Sequence, residues 1–282
     1  MTLRIAVPNK GALAGSSAQL LADAGYQAHR DGRELVVVDD ENDVEFFFLR
    51  PRDIAVYVGS GKLDVGITGR DLLIDSGAPA TELLTLGFGA ASFRYAAPDG
   101  ELDSVADIAG RRVATSFPGL VEKDLARRGL TATVVRLDGA VETAVKLGVA
   151  DLIADVVETG RTLRASGLSL LGEPILTSEA VLIVKRETEL RREHERLLRR
   201  IQGVQVAARY VLMYYDVPSG LVDKACEITP GFESPTISPL RTDGWSAINV
   251  MVLRPEVNRV MDDLWDLGAR GIFVTAIQAC RL

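Results

Sequence analysis

The run Asp151-Leu152-Ile153-Ala154-Asp155-Val156-Val157-Glu158-Thr159-Gly160-Arg161-Thr162 places an apolar strand, a carboxylate and a hydroxyl-flanked glycine turn in sequence. The strand ends near Val157, and the Glu-Thr-Gly-Arg-Thr turn opens a helix containing Leu163. Successive N–H groups at such a helix start point at one spot, the helix dipole adds positive charge there, and Thr159 and Thr162 supply hydroxyl donors. That is a cradle for a phosphate monoester. Gly160 lets a ligand approach the backbone closely, while Asp155, one turn upstream, suits sugar hydroxyls better than phosphate. Together the two halves fit a ribose 5-phosphate. The competing reading is structural: Thr159 caps a helix and Asp155 ends a strand, which on local pattern alone is the commoner case.

Other residue types narrow the chemistry. The 282 residues include two histidines, His29 in a polar turn and His194 on a charged helix, and neither receives a role. A histidine-rich metal site or a catalytic triad has little to draw on. Carboxylates, lysines, arginines and backbone amides must therefore carry the chemistry. Cys226 and Cys280 read as small apolar fillers in a reducing compartment. At 47% hydrophobic and 25% charged the composition is that of a soluble globular protein, and the net charge of -7 repels nucleic acid and acidic membrane surfaces. Met1 to Lys10 turns polar at Asn9 before a signal peptide forms, so a cytosolic protein is expected, with no membrane span.

The elements that must position these residues alternate between strand and helix patterns. Leu3, Ile5 and Val7 form a strand broken at Pro8-Asn9-Lys10-Gly11, and Ser16 and Ser17 are expected to cap the next helix. Val44 to Leu49 is a strand, Asp53 to Val58 a helix with Pro51 at its first turn, and Val65 to Thr68 a strand. The alternation resumes from Ser104: strands Arg112 to Ser116, Thr133 to Leu137 and Leu152 to Val157, helices Val121 to Arg128 and Val141 to Val149. This pattern predicts parallel sheets with helices on both faces. Extended segments at Thr81 to Ala97 and Ser178 to Val184 are two crossings between α/β lobes, with a cleft between them. The charged run Glu187 to Gln202 reads as a solvated linker helix. Beyond it, Ala207 to Ile277 has the β-α-β-β-α-β order of a ferredoxin-like domain. The expected division is 1–90 with 178–205 as the first lobe, 91–177 as the second with the phosphate loop, and 206–282 as a C-terminal regulatory domain.

The full spacing from Glu142 through Gly148, Ala150, Ile153, Asp155-Val156 and Thr159-Gly160-Arg161-Thr162-Leu163 resembles the signature of the ATP phosphoribosyltransferase family. Further likeness runs through Pro8-Asn9-Lys10-Gly11, Phe46 to Asp53, Gly66 to Asp71 and Glu233-Ser234-Pro235-Thr236, and the last domain is similar to that of the family's long form. The resemblance implies an α/β fold: a two-lobed, periplasmic-binding-protein-like catalytic part and a C-terminal ferredoxin-like regulatory domain. It also implies a transfer of the phosphoribosyl group of phosphoribosyl pyrophosphate to adenine N1 of ATP, the first step of histidine biosynthesis. Magnesium is the implied cofactor, held mainly by substrate phosphates; L-histidine is the implied inhibitor, and the assembly a homo-oligomer between dimer and hexamer.

By the same resemblance, Asp155, Val156, Val157, Glu158, Thr159, Gly160, Arg161 and Thr162 bind phosphoribosyl pyrophosphate. Lys10, Gly11, Arg50, Asp71, Leu72 and Glu142 contact ATP or pyrophosphate, and Asp216, Ser234 and Thr236 bind histidine. Each has a plainer reading: Lys10 and one of Arg50 and Arg52 as surface charge, Asp71 and Glu142 as helix-end residues, Ser234 as a turn. Many relatives carry Arg after the glycine, where this chain has Ala12. A different class is a solute receptor or effector domain, because Gly61-Lys62-Leu63-Asp64-Val65-Gly66-Ile67 also suits a binding-protein lobe; a phosphoribosyltransferase for another base is the second alternative.

Overall fold

The computed structural model describes residues 2–30, 32, 34–157 and 160–281. Its elements run β1 (Leu3–Pro8), α1 (Ala12–Asp23), β2 (Val36–Asp39), β3 (Val44–Leu49), α2 (Pro51–Gly59), β4 (Val65–Gly69), α3 (Arg70–Ser76), β5 (Ala80–Thr85) and β6 (Ala91–Pro98). There follow β7 (Arg112–Thr115), α4 (Pro118–Arg128), β8 (Thr133–Arg136), α5 (Thr143–Lys146), β9 (Leu152–Val157), α6 (Arg161–Ala165), β10 (Leu168–Ser178) and β11 (Ala180–Lys185). The last are α7 (Arg192–Arg209), β12 (Tyr210–Pro218), α8 (Val222–Ile228), β13 (Thr236–Pro239), β14 (Trp245–Leu253), α9 (Val257–Leu267) and β15 (Arg270–Ala276). The chain divides into two compact units, Met1–Ala22 with Tyr26–His194, and Asp23–Gly25 with Glu195–Leu282.

The first unit holds two sheets, ordered β2-β3-β1-β4-β11-β5 and β10-β6-β9-β7-β8. In each, three strands are parallel: β1 between β3 and β4, and β7 between β8 and β9. The remaining strands make only antiparallel pairs, which the expectation of parallel sheets omitted. Four of them, β5, β6, β10 and β11, belong to the two chain crossings: β6 and β11 run against the parallel set of their sheet, and β10 and β5, paired outside them, run with it. Two α/β lobes joined by paired crossing strands form the two-lobed fold of periplasmic binding proteins.

Burial follows from side-chain alternation. Along β9, Leu152 and Ala154 join Phe93, Tyr95, Val113 and Leu125 on one face of the sheet, while Ile153 and Val157 join Ala96, Ala114 and Leu163 on the other. Asp155 lies between Ile153 and Val157 on that second face, at the strand's carboxyl end. In the first lobe, Ile54, Ala55 and Val58 of α2 pack over β4 and β11 with Ala6, Val181 and Ile183. Gly66 of β4 permits that approach, since an added Cβ would lie 2.5 Å from Ile54 Cγ2 and 2.9 Å from Val58 Cγ2.

The second unit carries the sheet β13-β14-β12-β15, antiparallel throughout, with Val211, Met213, Tyr215, Ile248 and Val250 facing Ala225, Val260 and Leu264 of α8 and α9. Its order of elements is ferredoxin-like. Several local expectations shift. Helix α1 begins at Ala12, after Gly11 at φ 79°, and Ser17 is a buried residue inside it whose hydroxyl donates to Leu13 O at 2.7 Å, not a cap. The predicted helix at 141–149 shrinks to Thr143–Lys146. The charged linker helix starts later and runs to Arg209, and its Leu197 and Ile201 are buried rather than solvated. Trp265, expected as a packing residue, is exposed with the Arg270 guanidinium 4.1 Å from its ring centroid. Among the described residues no helix is long and apolar enough to cross a membrane.

Gly66→Ala is expected to lower the stability of the chain by about 1–3 kcal/mol, the usual range for overpacking a filled interface. Urea unfolding checks this, and an unchanged midpoint would mean that α2 has slack over β4.

Candidate functional site

The carboxyl ends of the parallel strands in both sheets of the first unit converge on a cleft, the usual ligand position in open α/β sheets. Register places the cations on the first-lobe side. Pro8 pairs with Leu49 across β1 and β3, and the Asn9 N–H donates to Leu49 O at 2.8 Å. Lys10 and Arg50 therefore leave adjacent strand ends together. Arg50 is also the N-cap residue of α2, with Pro51 starting the helix and the Asp53 N–H donating to Arg50 O at 2.9 Å.

Opposite them, Ser116 follows the last residue of β7 and Arg136 ends β8. A cavity of about 590 Å³ is lined by Lys10, Arg50, Arg52, Asp53 and Leu72 from the first lobe and by Ser116, Arg136 and Asp138 from the second, with Arg136 Nε 3.7 Å from Asp138 Oδ1, so its cations outnumber its carboxylates by four to two. Four cationic side chains around one space suit a polyphosphate. Arg136 and Ser116 were missed from the sequence, and their signal is positional, since each sits at the carboxyl end of a parallel strand, Arg136 as its last residue and Ser116 just beyond. Arg52, which the sequence left open as surface charge, is held by a 2.8 Å ion pair to Asp75 and lies 5.0 Å above the Phe117 ring centroid. Gly11 lies beside Lys10 but is not among the lining residues.

A second cavity, about 340 Å³, is lined by Glu142, Asp155, Val156, Val157, Gly160, Thr162 and Leu163. The structure thus brings most of the predicted phosphoribosyl residues to one place. Arg161 is exposed and not among the lining residues; Glu158 and Thr159 lie outside the described residues. Gly160 has φ 68°, the left-handed conformation that glycine adopts without strain, and it turns the chain into α6. Helix α6 is only five residues long, so the cradle rests on loop amides and the Thr162 hydroxyl more than on a helix dipole. The lining of the first cavity reaches Gly139, and that of the second begins three residues on at Glu142.

The charges in the second cavity conflict. Burial pushes the Asp155 carboxyl above the usual carboxylate range; the Val156 N–H, donating to Oδ1 at 2.8 Å, opposes this, and Glu142 and Asp71 add to the upward push. Asp71 reaches this region from the start of α3, 9% exposed, where Oδ1 accepts from Ser178 Oγ at 2.9 Å and from the Leu72 N–H at 2.9 Å. Its backbone N–H in turn donates to Ser178 Oγ at 3.0 Å.

Whether magnesium fits can be judged from the donors. Among the described residues no group of three or more ligating side chains gathers to hold an ion. The cleft offers Asp155 with Glu142 and Asp71 near enough to perturb it. One or two carboxylates beside substrate phosphates is a usual setting for magnesium, so the set fits an ion that arrives on a substrate.

In the second unit, Ser234 and Thr236 line one pocket of about 200 Å³ with Phe232, Glu233 and Asn249. Asn249 Oδ1 is buried beside it with no hydrogen-bond partner. Asp216 is not brought to this pocket; it sits on β12 opposite Ala247 and Arg270, with Oδ2 3.4 Å from where a Cβ on Gly271 would stand. Tyr214 stacks on Phe273 at 5.0 Å between ring centroids, and Tyr215 is buried with its hydroxyl 2.6 Å from Thr229 Oγ1, so both tyrosines pack.

Comparison with known proteins adds the following. A family model described as ATP phosphoribosyltransferase matches residues 50–203, and one described as the HisG C-terminal domain matches residues 207–279. The ATP phosphoribosyltransferase of Salinispora tropica is 59% identical over 280 residues, covering 99% of this chain and 100% of its own length. That of Arthrobacter sp. (strain FB24) is 59% identical over 285 residues with the same coverage. Among solved structures, the ATP phosphoribosyl transferase (HisG:HisZ) complex from Thermotoga maritima is similar at a TM-score of 0.62 and 26% identity, over 71% of this chain and 96% of that one.

A raised carboxyl pKa has a definite sign in stability. Asp155 is disfavoured as an ion in the folded protein, so its favourable contribution is complete below about pH 4, the unfolded value, and is lost as pH rises through the folded value. Asp155→Asn should therefore melt at the same temperature as the parent or higher at neutral pH, with the difference shrinking towards about pH 4. Calorimetric melts across that range check it, and a variant less stable at neutral pH than at acid pH, relative to the parent, would contradict the burial of a strained charge.

Proposed function

The chain belongs to the ATP phosphoribosyltransferase family, transferases of histidine biosynthesis, and we propose that it moves the phosphoribosyl group of phosphoribosyl pyrophosphate to adenine N1 of ATP, releasing pyrophosphate. The observation that carries this reading is a pair of cavities with complementary linings in the first unit. One pairs a carboxylate with a glycine-turn cradle, as a ribose 5-phosphate needs; the other gathers Lys10, Arg50, Arg52 and Arg136, as a polyphosphate needs.

The chemistry asks for little from a protein base, because adenine N1 already has a lone pair when it attacks C1′ with inversion. The demands are orientation and charge. Thr162 and the amides around Gly160 hold the 5-phosphate, fixing C1′ relative to the cleft. Asp155, and Glu142 beside it, accept from the ribose hydroxyls, and their negative charge is aligned with the oxocarbenium-like character that the sugar develops. Lys10, Arg50, Arg52 and Arg136 neutralise the phosphates of ATP and the departing pyrophosphate. Magnesium, if carried in on those phosphates beside Asp155 and Glu142, would lower the charge of the leaving group. Asp71 and Leu72 close the nucleotide side of the site.

The same proposal extends to organisation. Residues 1–90 with 178–205 and residues 91–177 act as the two catalytic lobes, and 206–282 as a regulatory domain that binds L-histidine. Ser234 and Thr236, with the Glu233 carboxylate beside them, would meet the ammonium and imidazole N–H groups of histidine, whereas Asp216 lies outside that pocket on β12 and is left out of the site. A homo-oligomer and a cytoplasmic setting complete the reading.

The direct test supplies ATP, magnesium and phosphoribosyl pyrophosphate and measures pyrophosphate release together with N1-substituted adenosine product. Release dependent on both substrates is expected; turnover with another base in place of ATP would favour a different phosphoribosyltransferase. Asp155→Asn should lower kcat/KM by roughly tenfold to a hundredfold, the scale of a lost charge-assisted hydrogen bond. Gly160→Val should weaken phosphoribosyl pyrophosphate binding more than its effect on folding, a strain of about 1–2 kcal/mol at positive φ, can explain. For regulation, L-histidine should inhibit the parent, and Ser234→Ala with Thr236→Val should abolish inhibition while turnover persists. Parent protein that binds no histidine by calorimetry removes the regulatory part.

A further inference from the structure

We propose that Asp75 is a positioning residue for the transfer, tying the second lobe to Arg52 of the interlobe cavity so that cleft width and cation placement are set together. The inference rests on the polyphosphate reading of that cavity. Asp75 lies near the end of α3 in the first lobe, and its carboxylate is 7% exposed. A carboxylate so buried must have its oxygens satisfied, and the two partners come from different lobes. Oδ1 accepts the Leu120 N–H at 3.1 Å, one of the N–H groups that the first turn of α4 leaves without a helical partner. Oδ2 accepts Arg52 Nη1 at 2.8 Å.

The contact is close as well as charged. A Cβ on Gly119 would overlap the Asp75 carbonyl oxygen, so α4 can seat here only with glycine at that position. Beside it, Lys123 Nζ donates to Ile74 O, and Arg52 stacks over Phe117, the N-cap residue of α4. Arg52 thus touches the second lobe through its ring contact and the first through Asp75, while also lining the cavity with Lys10, Arg50 and Arg136. Separating the lobes at this point removes the Leu120 donor from Asp75 and the ring from Arg52 in one movement. The guanidinium then loses the fixed position that makes it a phosphate ligand.

The test is a double-mutant cycle of Asp75→Asn and Arg52→Gln, with KM for both substrates, kcat and thermal melts measured on the full chain. Asparagine keeps an acceptor for Leu120 but removes the charge that holds Arg52. KM for ATP is expected to rise about five- to fiftyfold in Asp75→Asn, with a smaller change in kcat, and the double variant to be no worse than Arg52→Gln alone. Additive effects, or a lowered melting point with unchanged KM, would overturn the proposal. Should Asp75→Asn not fold, Gly119→Ala decides: it leaves every charge in place yet wedges the contact, and an unchanged KM for ATP overturns the idea equally. Lys10→Gln separates the two layers of inference. If it too leaves KM unchanged, the polyphosphate reading of the cavity fails; if only it raises KM, the positioning role of Asp75 alone fails.

Discussion

Everything functional in the first unit depends on two sets of parallel strand ends facing each other across a cleft narrow enough for charges on the two sides to interact. Asp71, on the first lobe, helps to raise the pKa of Asp155 on the second. In bulk water and at larger separation this coupling would be screened away. The site is therefore a property of the pair of lobes and not of either sheet. Strand register fixes the cations, β9 fixes the carboxylate, and the crossing strands fix the distance between them.

That arrangement stores electrostatic cost in the empty protein. Asp155 is half-buried, with Glu142 and Asp71 adding to the cost of its charge, while Lys10 and Arg50 are exposed at strand ends. A substrate carrying a sugar with hydroxyl donors and phosphates with negative charge relieves both conditions at once. Binding energy is then realised at the groups that must act during the reaction. On the proposed reaction a chain with two histidines suffices, since the work would be charge placement rather than proton removal.

How much was legible in sequence follows from how local each signal is. Strand β9 was read with its true limits because an apolar run, interrupted at Asp155, ends sharply at the polar turn after Val157. The Asp155–Gly160–Thr162 part of the site was legible for the same reason, being one continuous segment. Strand β2 was not, because it is a short edge strand whose Val36 and Val38 stay exposed and leave no clear alternation against a core. The first half of β10 was hidden by Gly172-Glu173-Pro174, where its pairing with β6 shifts register. Arg136 and Ser116 escaped because their meaning depends on a strand pairing that no spacing in the chain encodes. Ser16 and Ser17 misled in the opposite direction: serine is a good cap, but the positive φ of Gly11 had already started the helix.

Helix α3 is where these strands of argument meet. It is seven residues long and is held at both ends by groups outside the helix. At its start, Asp71 exchanges hydrogen bonds with Ser178, which lies at the end of β10 where the chain crosses back to the first lobe. Near its end, Asp75 binds the first turn of α4 and the Arg52 guanidinium. Two turns of helix are too short to bend, so a rotation of one lobe against the other must break one of these attachments or turn α3 as a body. Turning α3 moves the Asp71 charge relative to Asp155 and the Arg52 guanidinium relative to Lys10 together. Lobe movement and the electrostatics of the site are thus one degree of freedom, carried by the element that touches both.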